Sequence, residues 1–125
     1  MPASFNHTIV FATDSEQSAA FYRDYLEAAP VQSWGPFTNL QLEHGVLLQI
    51  AAPPLPEIQP QHYAFLVDDA HFDRAYALLT ERGVDHAADP FWKEPGRINH
   101  GHGGRGVYVR DPAGHGIELL TRPYL

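Results

Sequence analysis

The stretch FNHTIVFATD, residues 5–14, recurs in altered form as PQHYAFLVDD, residues 60–69, and this repeat decides the fold. The two stretches align when His7 is placed on His62, which sets an offset of 55 residues (62 − 7). Each stretch is an apolar run of strand-forming residues that ends in acidic or hydroxyl residues, which often begin helices. The repeat therefore predicts a strand followed by a helix in each half of the chain.

A helix and three more strands are predicted after each copy of this stretch. Aromatic and aliphatic residues recur at helical spacing, with a capping box at residues 13–16 before the first helix. These residues are Phe21, Tyr22, Tyr25 and Leu26 in the first half, and Phe72, Ala75, Tyr76 and Leu79 in the second. The strand-like runs are residues 31–34, 38–43 and 46–50, then residues 85–88, 106–110 and 116–121. The order is βαβββ twice, which predicts an α+β fold of two modules whose curled mixed sheets form a cleft.

Composition excludes several classes of protein. The net charge of −7, without any Lys/Arg cluster, argues against a nucleic-acid partner, and the absence of cysteine removes disulfides and thiolate catalysis. No signal peptide is recognisable, and no apolar run is long enough to cross a membrane. We expect a soluble, cytoplasmic protein whose partner is a small molecule. The 125 residues suit a single domain, with module 1 over about 4–51, a proline-rich linker over 52–60 and module 2 over about 61–122.

Three polar residues interrupt strand-like runs: His7, His62 and Glu118. An apolar strand seldom places an imidazole or a carboxylate at an interior position unless that group has a partner. Two neutral imidazoles and one carboxylate suit an open divalent-metal site that leaves positions free for substrate or water. We therefore predict that these three residues bind Fe, Mn, Ni, Co or Zn.

The two halves differ in length at one place. Gln49 and Glu118 occupy matching ends of the last strand, yet they are 69 residues apart (118 − 49). The surplus of 14 over the repeat offset (69 − 55) matches residues 91–104, which are rich in glycine. We expect these residues to form a mobile rim over the site, because they offer little apolar surface to anchor it.

With these residues in view, the chain resembles the vicinal oxygen chelate superfamily, which includes glyoxalases, bleomycin-resistance proteins and extradiol dioxygenases. The landmarks of the resemblance are residues 5–7, 21–26, 61–65 and 111–118. It implies metal ligands at His7, His62 and Glu118, with Gln49 as a possible fourth ligand. It also implies a homodimer, because βαβββ modules of this superfamily pair or swap.

The resemblance leaves the reaction open, because one scaffold hosts several chemistries. Gln49 stands where glyoxalase I enzymes generally carry a glutamate, and a neutral amide cannot act as a base. Ile9 replaces a threonine of the fosfomycin-resistance thiol transferases, which weakens that assignment. Extradiol dioxygenases use the same His-His-Glu set on Fe(II). The favoured class is a metalloenzyme that chelates a small substrate through adjacent oxygens, and the competing class is a metal-free binding protein of the bleomycin-resistance type.

Glu118 and Tyr108 are the predicted catalytic residues. The resemblance places Tyr108, ten residues before Glu118, as a hydrogen-bond donor to a substrate oxygen. If the intervening turn is centred between Pro112 and Ala113, Tyr108 lies opposite Glu118 only after a one-residue shift in register. We expect the shifted register.

Five further residues are candidates for substrate contact. His100 and His102 could move protons near neutral pH, although a Gly-rich loop is usually solvated. Arg105 and Arg122 could bind an anionic substrate or form surface ion pairs. Trp92 could line an apolar wall of the cleft or pack in the core.

Overall fold

The computed structural model describes all 125 residues and divides into two compact units, Met1–Ile58 and Gln59–Leu125. We call them module 1 and module 2. Each module contains one α-helix and a four-stranded mixed sheet that does not close. The predicted α+β fold with two βαβββ modules is therefore confirmed.

Module 1 consists of β1 (His7–Phe11), α1 (Ser15–Leu26), β2 (Ala29–Pro30), β3 (Thr38–Gln41) and β4 (Leu47–Ala51). The strands lie in the order β1-β4-β3-β2, with β1 parallel to β4 and the other pairs antiparallel. Helix α1 packs on β3 and β4 and buries its predicted apolar face.

Module 2 repeats this arrangement with β5 (His62–Leu66), α2 (Asp69–Glu81), β6 (His86–Ala87), β7 (Gly106–Arg110) and β8 (Gly116–Leu120). The strands lie in the order β5-β8-β7-β6, and β5 is parallel to β8. Neither helix of the chain is long and apolar enough to span a bilayer. The predicted strands of both modules agree with the structure to within two residues at each end, except for one.

That exception is the strand predicted at residues 31–34, which is wrong because β2 is Ala29–Pro30. One more backbone bond, from the Val31 N–H to the Asn39 carbonyl at 3.3 Å, follows β2, and side chains then take part in the hydrogen bonding. The Asn39 N–H donates to Ser33 Oγ at 3.0 Å, and Asn39 Nδ2 donates to the Gln32 carbonyl at 3.0 Å. Such local side-chain bonds compete with a regular strand ladder.

Both helices have an aspartate as N-cap, and in α1 this residue is Asp14 instead of the threonine of the predicted capping box. Asp14 accepts hydrogen bonds from the N–H groups of Glu16 at 2.9 Å and Gln17 at 3.2 Å. Asp68 accepts one from the His71 N–H at 2.7 Å. Each cap satisfies backbone donors of the first turn and stabilises its helix by about 1 kcal/mol.

Strand registers show how the two modules correspond. Gln49 pairs with Asn39 across β4 and β3, and Glu118 pairs with Tyr108 across β8 and β7. Both members of the second pair follow those of the first by 69 residues (118 − 49 and 108 − 39), whereas β1 and β5 keep the offset of 55. The extra residues therefore lie before β7, as predicted.

The inserted segment, residues 91–104, is better anchored than predicted. The Asp89 carboxylate accepts hydrogen bonds from three N–H groups of residues 91–94, and these donors outweigh burial and lower the pKa of Asp89. The backbone of Asn99 pairs with Gly106, and Asn99 Nδ2 donates to the Ala88 carbonyl at 2.8 Å. Polar contacts thus replace the missing apolar anchor, and the mobility of the segment stays a prediction.

Candidate metal centre

Two of the three predicted metal ligands lie together in module 2. His62 begins β5, Glu118 lies in the middle of β8, and His62 Nε2 is 3.1 Å from Glu118 Oε1. The parallel register places His62 beside Gly116, where a Cβ would lie 3.6 Å from His62 Nδ1. The Glu118 side chain is 4% exposed and that of His62 is 53% exposed, so solvent reaches this pair from the histidine side.

The spacing of these two atoms fits ligation of one metal ion. Ligand atoms about 2.1 Å from a metal, at angles of about 90–110°, lie roughly 3.0–3.4 Å apart. The Nε2–Oε1 distance of 3.1 Å is in this range. A metal ion would take the place of the direct contact between His62 Nε2 and Glu118 Oε1. The structure contains no group of three or more His, Asp or Glu side chains that could hold a metal, and His7 belongs to module 1.

The second carboxylate oxygen of Glu118 is held by a residue that sequence reasoning missed. The Tyr124 hydroxyl donates a hydrogen bond of 2.6 Å to Glu118 Oε2. This bond raises the pKa of Tyr124, so its phenol remains a protonated donor at neutral pH. Tyr124 follows the last strand near the end of the chain, where no periodicity or motif marks it.

Tyr108 lies directly opposite Glu118, so the shifted register is confirmed. The shift arises because the connecting loop has five residues, closed by a hydrogen bond from the Asp111 N–H to the His115 carbonyl at 2.9 Å. The Tyr108 ring stacks near the His62 ring, with centroids 6.0 Å apart. Burial, followed by hydrogen bonding to Tyr124, raises the pKa of Tyr108. Tyr108 is thus also a protonated donor.

A cavity of about 220 Å³ opens beside this group within module 2. Its lining includes Glu118, Tyr108, Tyr124 and His102. The His102 ring stacks on the Tyr124 ring, with centroids 4.3 Å apart. The cavity is smaller than typical pockets for drug-sized ligands, so it suits a small group. His100 is exposed and does not line this cavity.

Module 1 carries the other two predicted ligands. His7 is exposed, and its Nδ1 is 2.7 Å from the Asn6 side-chain oxygen. Gln49 is buried, with only 6% of its surface exposed. Gln49 Nε2 donates to Asn39 Oδ1 at 3.3 Å, and this bond leaves the amide oxygen, the atom that could ligate, outside the contact. The roles of His7 and Gln49 as ligands stay predictions.

Arg105 and Arg122 line the same cavity, but both form ion pairs. Arg105 donates to Asp73 at 2.7 Å and to Asp69 at 3.2 Å, and its guanidinium lies 4.6 Å from the centre of the Phe72 ring. Arg122 approaches Asp69 at 3.4 Å. The ion pairs are present for both arginines, and their role in substrate binding stays a prediction.

Trp92 lines a cavity of module 2 that is separate from the one beside Glu118. The Arg110 guanidinium covers its ring at 4.1 Å, and Trp92 lines a separate cavity of about 580 Å³ with Val84 and Arg110. Asp89 holds this part of the inserted segment by accepting a backbone hydrogen bond. Trp92 and Glu118 line different cavities. The role of Trp92 in substrate contact stays a prediction.

Comparison with known proteins agrees with this architecture. The model of the Glyoxalase/Bleomycin resistance protein/Dioxygenase superfamily matches residues 4–119. The chain belongs to this superfamily, as the resemblance implied.

Solved structures of two oxidases are similar over nearly the whole chain. Oxidase ChaP-H1 is 50% identical, with 98% of both chains covered and a TM-score of 0.91. Oxidase ChaP-H2 is 44% identical, with 99% of this chain and 97% of the other covered and a TM-score of 0.93. Lactoylglutathione lyase from Agrobacterium tumefaciens is 21% identical, with coverages of 96% and 94% and a TM-score of 0.71, and it shows the fold alone.

Proposed function

We propose that this chain is a metal-dependent oxidase that acts on a small substrate chelated through adjacent oxygens. The observation that carries the proposal is the contact between His62 and Glu118, with the phenol of Tyr108 opposite the carboxylate. The 50% identity to oxidase ChaP-H1 supports oxidation over isomerisation or thiol transfer. His7, from the same chain or from a second copy, would complete the ligand set.

The ligand set also suggests which metal serves this reaction. Two histidines and one carboxylate with open positions are typical of non-haem Fe(II) oxygenases. Fe(II), when bound, would supply Lewis acidity and reactivity toward dioxygen. Zn would not supply the redox step, and the proposed function therefore favours Fe among the predicted metals.

The residues of module 2 would act on the substrate in distinct ways. Tyr108, whose raised pKa keeps it protonated, would donate a hydrogen bond to a substrate oxyanion. Gln49 has no useful basicity, so another group must accept a substrate proton. His102 lines the same cavity and is the candidate for that transfer.

Oxygen consumption tests this proposal. Fe(II)-loaded protein would be mixed with catechols, hydroxyquinones and α-hydroxyketones, and dioxygen uptake would be compared between wild type, Glu118→Gln and the surface control His44→Ala. We expect uptake by wild type and His44→Ala, and little by Glu118→Gln. Tight binding of a panel member without any metal-dependent uptake would instead support the sequestering class. The homodimer and the cytoplasmic location stay predictions.

A further inference from the structure

We infer that Tyr124 is a positioning residue that holds Glu118 as a ligand through one oxygen, and that His102 keeps Tyr124 in place by stacking. The inference rests on the proposed function in one respect, the binding of a divalent metal by His62 and Glu118. It assigns a role to the C-terminal residues after β8 and to one histidine of the inserted segment.

The first observation is that the two carboxylate oxygens of Glu118 have different partners. Oε1 faces His62 at 3.1 Å, whereas Oε2 accepts the Tyr124 hydroxyl at 2.6 Å. A carboxylate can bind a metal through one oxygen or through both. With Oε2 engaged by a phenol, Oε1 alone is presented beside His62. Hydrogen bonds of this kind orient metal ligands in general.

The second observation is that Tyr124 is held at this place by its surroundings. The Thr121 N–H donates to the Arg105 carbonyl at 2.9 Å, and Thr121 Oγ1 accepts the Arg105 N–H at 2.8 Å. Arg122 donates to the Thr121 carbonyl at 2.7 Å and to Asp69 at 3.4 Å. These bonds fix the chain just after β8, so that Tyr124 turns back to a residue six positions before it.

The third observation is the stacking of His102 on the Tyr124 ring, with an interplanar angle of 26° and a centroid distance of 4.3 Å. His102 adopts φ of 56°, a left-handed conformation that residues other than glycine seldom adopt. The turn Gly101–Gly103 thereby presents the imidazole to a side chain that is itself 54% exposed. His102 thus limits the motion of a ring that the sheet does not cover.

Titration of metal-free, full-length protein with Co(II) tests the role of Tyr124. Tyr124→Phe removes the hydroxyl and keeps the ring, and Tyr76→Phe is the matched control, because Tyr76 contacts Phe72 and His86 on α2 and β6. We expect Tyr124→Phe to weaken Co(II) binding by about 10- to 100-fold, the usual effect of losing a partner of a metal ligand. We also expect its visible Co(II) absorption to change, because the second oxygen of Glu118 becomes free to coordinate. Tyr76→Phe should change neither property.

A double-mutant cycle tests the role of His102. His102→Ala should weaken Co(II) binding by about two- to ten-fold, the scale of a lost aromatic stack. The same substitution in a Tyr124→Ala background should have no further effect, because His102 acts through Tyr124. Additive effects would show that His102 does not act through this ring and would overturn that part of the inference.

The outcomes separate this inference from the proposed function. If wild type binds no Co(II), the proposed metal site is wrong and the inference falls with it. If wild type binds Co(II) and Tyr124→Phe matches it in affinity and absorption, only the role of Tyr124 is overturned. Circular dichroism of each variant confirms that it is folded, and Tyr124→Phe keeps the ring contact that would otherwise be lost.

Discussion

Gly104→Ala is expected to destabilise module 2, because a methyl group at this position has no space. An ideal Cβ on Gly104 would lie 2.5 Å from Thr121 Oγ1 and 2.6 Å from Arg122 Cγ. Relief of these contacts must move Thr121, whose hydroxyl oxygen accepts the Arg105 N–H at 2.8 Å. The substitution therefore strains the same residues that place Tyr124.

The expected size follows from three contributions. Overpacking typically costs about 1–3 kcal/mol, and a weakened hydrogen bond adds about 1 kcal/mol. Replacing glycine by alanine lowers the conformational entropy of the unfolded chain, which offsets about 0.4–1 kcal/mol of this cost. The free energy of unfolding should fall by about 1–3 kcal/mol, which corresponds to a decrease in Tm of roughly 4–10 °C for a chain of this size.

Thermal and urea unfolding followed by circular dichroism would measure this change. Gly101→Ala is the matched control in the same segment, because its Cβ would meet only Asn99 Oδ1 at 3.4 Å. We expect the control to remain within about 0.5 kcal/mol of wild type. Equal unfolding curves for Gly104→Ala and Gly101→Ala would refute the close packing of residue 104 against the segment after β8.

Three further predictions concern catalysis and acid stability. Tyr108→Phe should lower turnover by roughly ten- to a thousand-fold without changing metal content, the scale of a lost oxyanion donor, and unaltered turnover would assign Tyr108 to packing alone. Gln49→Glu should create or raise glutathione-dependent glyoxalase activity if the cleft accepts the hemithioacetal, because burial raises the pKa of a carboxyl group toward that of a useful base; high activity in the unmodified protein would contradict this reasoning. The Arg105 guanidinium lowers the pKa of Asp69 below its ordinary value of 3.8. The pair therefore stabilises the fold above that pH, and this stabilisation is lost as the pH falls through the pKa that Asp69 has in the folded protein. In urea unfolding between pH 2 and pH 6, the free energy of unfolding should therefore fall less toward acid pH in Arg105→Ala than in wild type. Identical pH dependence in the two proteins would exclude this coupling.

The fold was predictable because its signals are local and occur twice. Apolar runs with β propensity and helical spacing of aromatic residues each depend on a few neighbouring residues. The single wrong strand, residues 31–34, failed for a different reason. Beyond Val31, the side chains of Ser33 and Asn39 form hydrogen bonds with the backbone, and a pattern of hydrophobicity does not indicate such bonds.

The candidate site was predictable only where its residues interrupt strands. His62 and Glu118 stand out because each is polar within an apolar run, and the structure brings them together. Tyr124 lies outside every repeated element, so its contact with Glu118 depends on how the chain turns after β8. The position of Trp92 depends on the hydrogen bonds that Asp89 accepts from the backbone of residues 91–94, and no periodicity indicates these bonds.

The most direct test of the account is the stoichiometry of divalent-metal binding by the full chain. Metal-free wild type, His62→Ala and the control His71→Ala on α2 would be titrated with Co(II) and Fe(II), the latter without oxygen, by isothermal calorimetry and elemental analysis. The account predicts about one metal per chain for wild type and His71→Ala, and loss of this binding in His62→Ala. Equal metal content in wild type and His62→Ala would contradict the site at His62 and Glu118.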